Sequence, residues 1–272
     1  MVSLSADARC GSALITNTRS CGNDAFVLEL QLSAPIGELR AGRFAMLSPE
    51  NGAGPVIPRP ISIYDYDGGI KISFLIQILG RGTRVLAALR PGHKVSITVP
   101  LGNGFPETIF NREAVAVAGG VGCAPFLTWL RQREAQSKNT HMIYGARSAD
   151  RLYELDAFQQ APGRLVCATD DGSLGFVGNA VQAVQTEIAE GRISSDAVFL
   201  ACGPAPLLHG FAAWAREQKV EAYLSLETYM GCGIGVCNAC PTPSSESGAF
   251  SDWPWVKTCI QGPVFRLSDI RF

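Results

Sequence analysis

The sequence predicts a multidomain chain of α/β plus β type: an antiparallel β-barrel, an α/β domain built on a parallel sheet, and a small cysteine-rich C-terminal domain. Three observations predict it. Apolar residues alternate with period two through the first hundred residues, the mark of strands with one buried face. After about Asn111 short apolar runs alternate with segments of helical spacing. Beyond Leu226 both patterns stop, and "MGCGIGVCNAC", Met230 to Cys240, sets three cysteines among glycines. The expected domains are 1–110, 111–226 and 227–272.

In the first domain the alternation runs through Phe26, Leu28, Leu30 and Leu32, then Ile70, Ile72, Phe74, Ile76 and Ile78, then Val95, Ile97 and Val99. The pieces between, "SPENGAGPVIP" (48–58), "YDYDGG" (64–69) and "RPGH" (90–93), hold the residues that turns require. Several such strands close naturally into an antiparallel barrel.

In the second domain strands are expected at 114–118, 141–146, 164–169, 197–202 and 221–226, and Leu207, Phe211 and Trp214 share a helical face. Strands alternating with helices imply a parallel sheet, whose ligands sit at the carboxyl ends of the strands. The stretch "PTPSSESGAFSDWPW" (241–255) reads as a loop.

Composition removes several classes of function. The chain is 47% hydrophobic over 272 residues, and 23 Lys plus Arg against 24 Asp plus Glu leave no basic run to track a nucleic acid. The uncharged stretch Ala114 to Leu130 is short for a membrane span and is broken by a Gly-rich turn and Pro125. The first seventeen residues lack the apolar core of a signal peptide, so a cytoplasmic protein is expected. The three histidines, His93, His141 and His209, accompany no nucleophile motif, which argues against hydrolysis.

Nine cysteines do not make a disulfide framework, and four of them have ligand spacing. Cys232, Cys237 and Cys240 follow CxxxxCxxC, with eighteen residues between Cys240 and Cys259. This is the plant-type iron–sulfur spacing, three thiolates from one loop and a distant fourth, as a [2Fe–2S] rhomb requires. Gly231, Gly233 and Gly235 give the loop the backbone freedom to wrap the cluster. A structural zinc site is the other chemistry that four cysteines serve.

A one-electron centre calls for a partner that handles electron pairs, and flavin is the usual one. "RPISIYD", Arg59 to Asp65, offers an arginine for a phosphate and Ser62 for the flavin ring. In "LIQILGRGTRVLAAL" the turn Gly80 to Thr83 opens a helix whose N-terminus suits a pyrophosphate. A dinucleotide cleft is expected where Gly119, Gly120 and Gly122 join a strand to a helix, although the full GxGxxG pattern is absent and tight packing explains such a turn equally. "TDDGSLGFVG" (169–178) and "ACGPAP" (201–206) end two further strands, and Cys202 stands where a nicotinamide would meet the flavin. Arg147 and Ser148 are candidates for a 2′-phosphate, and Glu227 for a place near the flavin ring.

In order, "RPIS", "GRGT", "GGVGCAPF", "TDDGSLG", "CGP" and "ETYMGCGIGVCNAC…CIQGPVF" resemble the electron-transfer subunits of class 1B dihydroorotate dehydrogenase, within the ferredoxin reductase-like flavoproteins. The resemblance covers nearly the whole chain. It implies a flavin-binding barrel, a nucleotide-binding domain and a [2Fe–2S] domain. It places FAD at Arg59, Pro60, Ile61, Ser62, Leu75, Ile76, Gln77, Gly82 and Thr83; the candidates for NAD remain the loop residues Gly119, Gly120, Gly122, Cys202 and Gly203. The cluster ligands would be Cys232, Cys237, Cys240 and Cys259. It also implies a separate FMN-containing catalytic subunit, in a heterotetramer, that oxidises dihydroorotate in pyrimidine synthesis. Gln77 departs from the basic residue common at its position, and "FSDWPW" lengthens the approach to Cys259. Relatives with these modules serve other partners, so a ferredoxin-type or sulfide-linked reductase subunit is an alternative; a zinc-stabilised nucleotide-binding adaptor is an alternative of another class.

Overall fold

The alternating segments of the first hundred residues become seven strands in the computed structural model, which describes residues 7–50 and 57–272. The first six residues of the N-terminal stretch, and 51–56 of the expected 48–58 turn, lie outside the described residues. The strands are β1 (Arg9–Cys21), β2 (Ala25–Leu32), β3 (Phe44–Pro49), β4 (Arg59–Ser62), β5 (Asp65–Tyr66), β6 (Lys71–Gln77) and, after helix α1 (Arg81–Ala88), β7 (Lys94–Leu101). They form one sheet in the order β4-β3-β7-β1-β2-β6-β5 with antiparallel neighbours. The sheet curls into a half-barrel around Ile15, Phe26, Leu28, Leu30, Phe74, Val95 and Ile97, and Leu86 of α1 joins that core. Apart from Ile15, these inward strand residues are ones that the period-two pattern selects.

The expected strands of the second domain appear within two residues of their expected bounds. They are β8 (Ala114–Gly119), β9 (Thr140–Ala146), β10 (Arg164–Thr169), β12 (Val198–Cys202) and β13 (Ala222–Ser225), with a two-residue β11 (Phe176–Val177) inside the polar 169–178 stretch. Helices α2 (Phe126–Gln132), α3 (Leu155–Gln160), α4 (Ala180–Ala189) and α5 (Ala205–Gln218) lie between them in sequence. These strands pair in parallel. Every residue of β8 is buried, as a strand covered on both faces must be, and its Ala-Val run has no alternation for that reason.

The sheet order is β11-β10-β9-β8-β12-β13-β16, where β16 (Val264–Arg266) comes from the tail. The chain therefore moves outward from β8 through β9 and β10, then crosses to the other side of β8 for β12 and β13. That reversal is a switch point at the carboxyl ends of β8 and β12, where open α/β sheets bind ligands. The fully buried Arg133, at the end of α2, fastens the entry to this sheet. It donates to the carbonyls of Ile109, Phe110 and Arg112 at 2.9, 2.9 and 2.6 Å and to Thr140 Oγ1 at 2.9 Å, with Trp129 stacked beneath it. Burial lowers its pKa, and these four acceptors offset the cost of desolvating the guanidinium.

The tail adds β14 (Pro241–Pro243), β15 (Trp255–Lys257), α6 (Thr258–Gln261) and β16. The chain forms two compact units: Met1–Phe105 with Glu227–Thr242 and Trp255–Val264, and Pro106–Leu226 with Pro243–Pro254 and Phe265–Phe272. All four spaced cysteines thus belong to the unit of the half-barrel. Among the described residues no helix is long and apolar enough to cross a membrane.

Candidate functional site

The first group of residues gathers at the edge of the half-barrel. β4 is the terminal strand of its sheet, which tolerates Pro60 because an edge strand needs fewer N–H donors. Its four residues, Arg59, Pro60, Ile61 and Ser62, are all half-buried. Arg59 lies over the start of α1: a Cβ on Gly82 would stand 2.3 Å from Arg59 Nε and 3.1 Å from Cζ. Gly82 is therefore a floor that only glycine provides. Arg59 also donates to the Ile57 carbonyl at 2.9 Å.

Thr83 is committed to the helix start, its hydroxyl accepting from the N–H groups of Leu79 and Gly80 at 3.0 and 3.2 Å. The first-turn N–H groups of α1 have no carbonyl partner within the helix. Together with the Arg59 guanidinium they form a donor set for a pyrophosphate, so the cradle fits the dinucleotide end of a flavin. On β6, Leu75 and Ile76 are buried and Gln77 is half-buried. The Gln77 amide donates to Asp24 Oδ2 at 2.9 Å, which commits that side chain to the barrel.

The second group meets at the switch point. Gly119 ends β8, and a single 3-10 turn (Gly120–Cys123) and Pro125 precede α2, so the expected direct step from glycine turn to α-helix is interrupted. A Cβ on Gly122 would stand 2.5 Å from the Cys202 carbonyl and from Gly203 Cα. A Cβ on Gly119 would meet Leu207 Cδ1 at 2.7 Å, and one on Gly203 would meet Gly119 Cα at 3.1 Å. Gly122 and Gly203 are thus glycine because two loops press backbone on backbone, and Gly119 because the Leu207 and Pro204 side chains close on it. Gly120 differs: its φ is +52° and its open side meets nothing within 4 Å. Cys202 is buried at the end of β12, and Cys123 is buried with the Tyr144 hydroxyl 3.1 Å from its Sγ.

The rims of β9 and β10 are tied to one another. Asp171 Oδ1 accepts from the Ser173 hydroxyl and N–H at 2.6 and 2.9 Å, bonds that hold its carboxyl below the ordinary range. Ser173 Oγ accepts in turn from the Ala149 N–H at 2.8 Å. Ser148, a candidate for a 2′-phosphate, donates to the Asp150 carboxylate instead.

The third group is the cysteine loop. It packs on the half-barrel, where Cys240 and Cys259 share an apolar pocket with Phe44, Met46 and Leu101, and with Met230, Ile234 and Ile260 beside them. Gly233 and Gly235 have φ of +72° and +83°; a Cβ there would stand 2.5 Å from Met46 Cγ and 2.8 Å from Ile260 Cγ1. The expected wrapping freedom is used at these two positions. The thiols form two pairs. Cys240 Sγ and Cys259 Sγ are 3.3 Å apart, and the Cys237 side chain hydrogen-bonds that of Cys232. Cys232 Sγ also accepts from the N–H groups of Ile234 and Cys237, both at 3.4 Å.

Burial pushes the Cys232 thiol up, but the backbone N–H groups aimed at it prevail and bring it down to about 7. The Cys259 side chain, against the pull of burial, lowers Cys240 to about 6; that same bond, together with burial, raises Cys259. Thiolate character near neutral pH is what a metal ligand needs. A [2Fe–2S] rhomb takes two thiolates on each iron, a demand that two thiol pairs can meet.

Two residues that hold this site carry no ligand spacing, and the sequence reading passes over them. Asn103 sits between Gly102 and Gly104, both at positive φ. Its amide donates to the carbonyls of Gln261 and Val264 at 2.8 and 2.7 Å and its Oδ1 accepts from the Val264 N–H at 3.2 Å, clamping the chain just beyond Cys259. The only sequence signal is a polar residue bracketed by glycines. The other residue, Lys257, reaches from the end of β15 to the Gly235 carbonyl at 2.6 Å.

Comparison with known proteins agrees with this geometry. Residues 227–271 match the model of the iron–sulfur cluster binding domain of dihydroorotate dehydrogenase B, and 116–212 that of an oxidoreductase NAD-binding domain. The chain is 34% identical over 233 residues to a Bacillus velezensis protein named as the electron transfer subunit of dihydroorotate dehydrogenase B (NAD(+)), covering 84% of this chain and 86% of that one. A Geobacillus thermodenitrificans protein of the same name is 35% identical over 247 residues, covering 88% and 89%. Among solved structures, an NADH-dependent reduced ferredoxin-NADP oxidoreductase described for flavin-based electron bifurcation superposes with TM-score 0.80 at 25% identity, over 95% of this chain and 89% of that one. A Neisseria gonorrhoeae ferredoxin NADP+ reductase shares the fold at TM-score 0.65 and 15% identity, over 80% of this chain and 99% of that one.

Proposed function

Because the chain belongs to the family of dihydroorotate dehydrogenase B electron transfer subunits, we propose that it carries electrons from a catalytic dihydroorotate-oxidising subunit to NAD. One observation carries the reading: the two thiol pairs and the Arg59–Gly82 cradle are built on the same half-barrel unit. When bound, a [2Fe–2S] cluster exchanges single electrons and FAD exchanges them singly or as hydride, which joins a one-electron donor to a two-electron acceptor.

The residues of this chain bind, orient and insulate. Cys232, Cys237, Cys240 and Cys259 hold the cluster, and the pocket of Phe44, Met46 and Leu101 keeps water from its inner face. Arg59, Gly82 and the first turn of α1 hold the flavin pyrophosphate, while Pro60, Ile61, Ser62, Leu75, Ile76, Gln77 and Thr83 line its length. Gly120 leaves the space for the nicotinamide dinucleotide beside Gly119, Gly122, Cys202 and Gly203. The modules 1–110, 111–226 and 227–272 divide this work.

The partner we propose is an FMN-containing subunit in a heterotetramer with two copies of each chain. Exposed apolar residues in the cysteine segments, Tyr229, Val236 and Trp255, supply a surface for it to cover.

The test is purification of the chain with analysis for flavin, iron and acid-labile sulfide, then addition to a catalytic subunit with dihydroorotate and NAD. FAD and two irons per chain, with a gain in NAD reduction on mixing, is the expected result. Zinc without sulfide would reject the redox reading. Full cofactor content without any gain would reject the partner and leave a reductase of another kind.

A further inference from the structure

We propose that the Lys257 ammonium sets the reduction potential of the cluster, holding it above the value that the cysteine loop alone would give; this rests on the [2Fe–2S] reading above.

The inference begins with position. Lys257 ends β15 and caps α6, the helix that carries Cys259. Its backbone N–H donates to Gln261 Oε1 at 2.9 Å, which fixes the residue at the helix start. Its side chain then crosses to the other half of the site, where Nζ donates to the Gly235 carbonyl at 2.6 Å. Gly235 lies between Cys232 and Cys237 in sequence, at a left-handed φ of +83°. The ammonium is therefore held between the segment of the fourth cysteine and the loop of the first two, and the residue is half-buried.

Charge makes this position consequential. Within 227–242 and 255–264, the segments that carry all four cysteines, the charged residues are Glu227 and Lys257. Lys257 is the single cation of these segments. Reduction of a cluster by one electron, with no proton taken up, adds one negative charge to a centre that four thiolates already make anionic. A fixed cation stabilises the reduced form more than the oxidised one, and partial burial weakens its screening by salt. The hydrogen bond to Gly235 orders the loop, a role that a neutral donor can also fill, so charge and ordering are separable by substitution.

The test uses the full chain with its cluster assembled, reduced stepwise with dithionite and followed by electron paramagnetic resonance. Cluster content is checked by acid-labile sulfide. Lys257→Met removes charge and donor, Lys257→Gln keeps a neutral donor, and Lys257→Arg keeps the charge. The midpoint potential is expected to move to more negative values in K257M and K257Q alike and to stay near that of the unsubstituted chain in K257R. If K257M assembles no cluster, K257Q and K257R carry the comparison. A K257Q midpoint equal to that of the unsubstituted chain, or a K257R midpoint displaced as far as that of K257Q, would overturn the proposal. An unsubstituted chain without acid-labile sulfide or a reduced-cluster signal would instead overturn the iron–sulfur reading itself.

Discussion

Two glycine turns in this molecule look alike in sequence and are used differently. Gly80–Thr83 and Gly119–Cys123 each follow a strand and lead toward a helix. At the first, the missing Cβ of Gly82 is replaced by a charged side chain, Arg59. At the second, the missing Cβ of Gly122 is replaced by backbone, the Cys202 carbonyl and Gly203 Cα. A glycine in a motif thus guarantees a close approach but does not say what approaches. The nature of the neighbour decides whether a substitution damages the fold or the ligand, because a side chain can swing away and a packed backbone cannot.

The largest effect should follow Gly122→Ala. Its methyl would press on two backbone atoms at 2.5 Å, and neither can retreat without separating β8 from β12. A loss of about 3 kcal/mol or more is expected, at the top of the range for overpacking. Chemical denaturation of the purified protein measures it; a change under about 1 kcal/mol would mean that the two loops are loosely packed.

Gly82→Ala should leave stability within about 1 kcal/mol of the parent, since alanine favours the helix that it would join. Its methyl displaces Arg59, and the lost charge-assisted bond should weaken FAD retention roughly tenfold or more. Arg59→Ala should do the same by a different route. Flavin content after gel filtration decides the matter. A G82A protein that keeps its flavin while R59A loses it would show that Arg59 reaches the phosphates without resting on Gly82.

How much of this was legible beforehand follows from the range of each interaction. The strands could be read because burial imposes a period that each segment carries by itself: Leu28 and Leu30 are buried, as their alternation requires. The four cysteines could be read because ligand chemistry restricts both residue type and spacing. Gly122 could be read as a close approach, to a nucleotide or to packed chain, but its partner could not be named, since Cys202 lies eighty residues away in sequence. Asn103 and Lys257 escaped for the same reason. Their partners are backbone carbonyls of Gln261, Val264 and Gly235, and a carbonyl leaves no trace in the residue that bears it. The two-residue β11 escaped because Phe176 and Val177 are too few to establish any period.

Gly120→Ala separates the two uses of glycine within a single turn, with the smallest expected effect. Nothing stands within 4 Å of its open side, so no packing is lost, and the only conformational cost comes from placing a Cβ at φ +52°. That cost is about 1 kcal/mol for a non-glycine residue in the left-handed region. If the open side is where the dinucleotide meets the backbone, the methyl also blocks the approach that the flanking glycines cannot provide, being occupied by Leu207, Cys202 and Gly203. The expected outcome is a modest stability loss with a disproportionate fall in NAD affinity, read by calorimetric titration of the FAD-loaded protein. A stability loss of that size with unchanged NAD affinity would assign all the glycines of this turn to packing, and the nucleotide would then be held by the rims of β9 and β10.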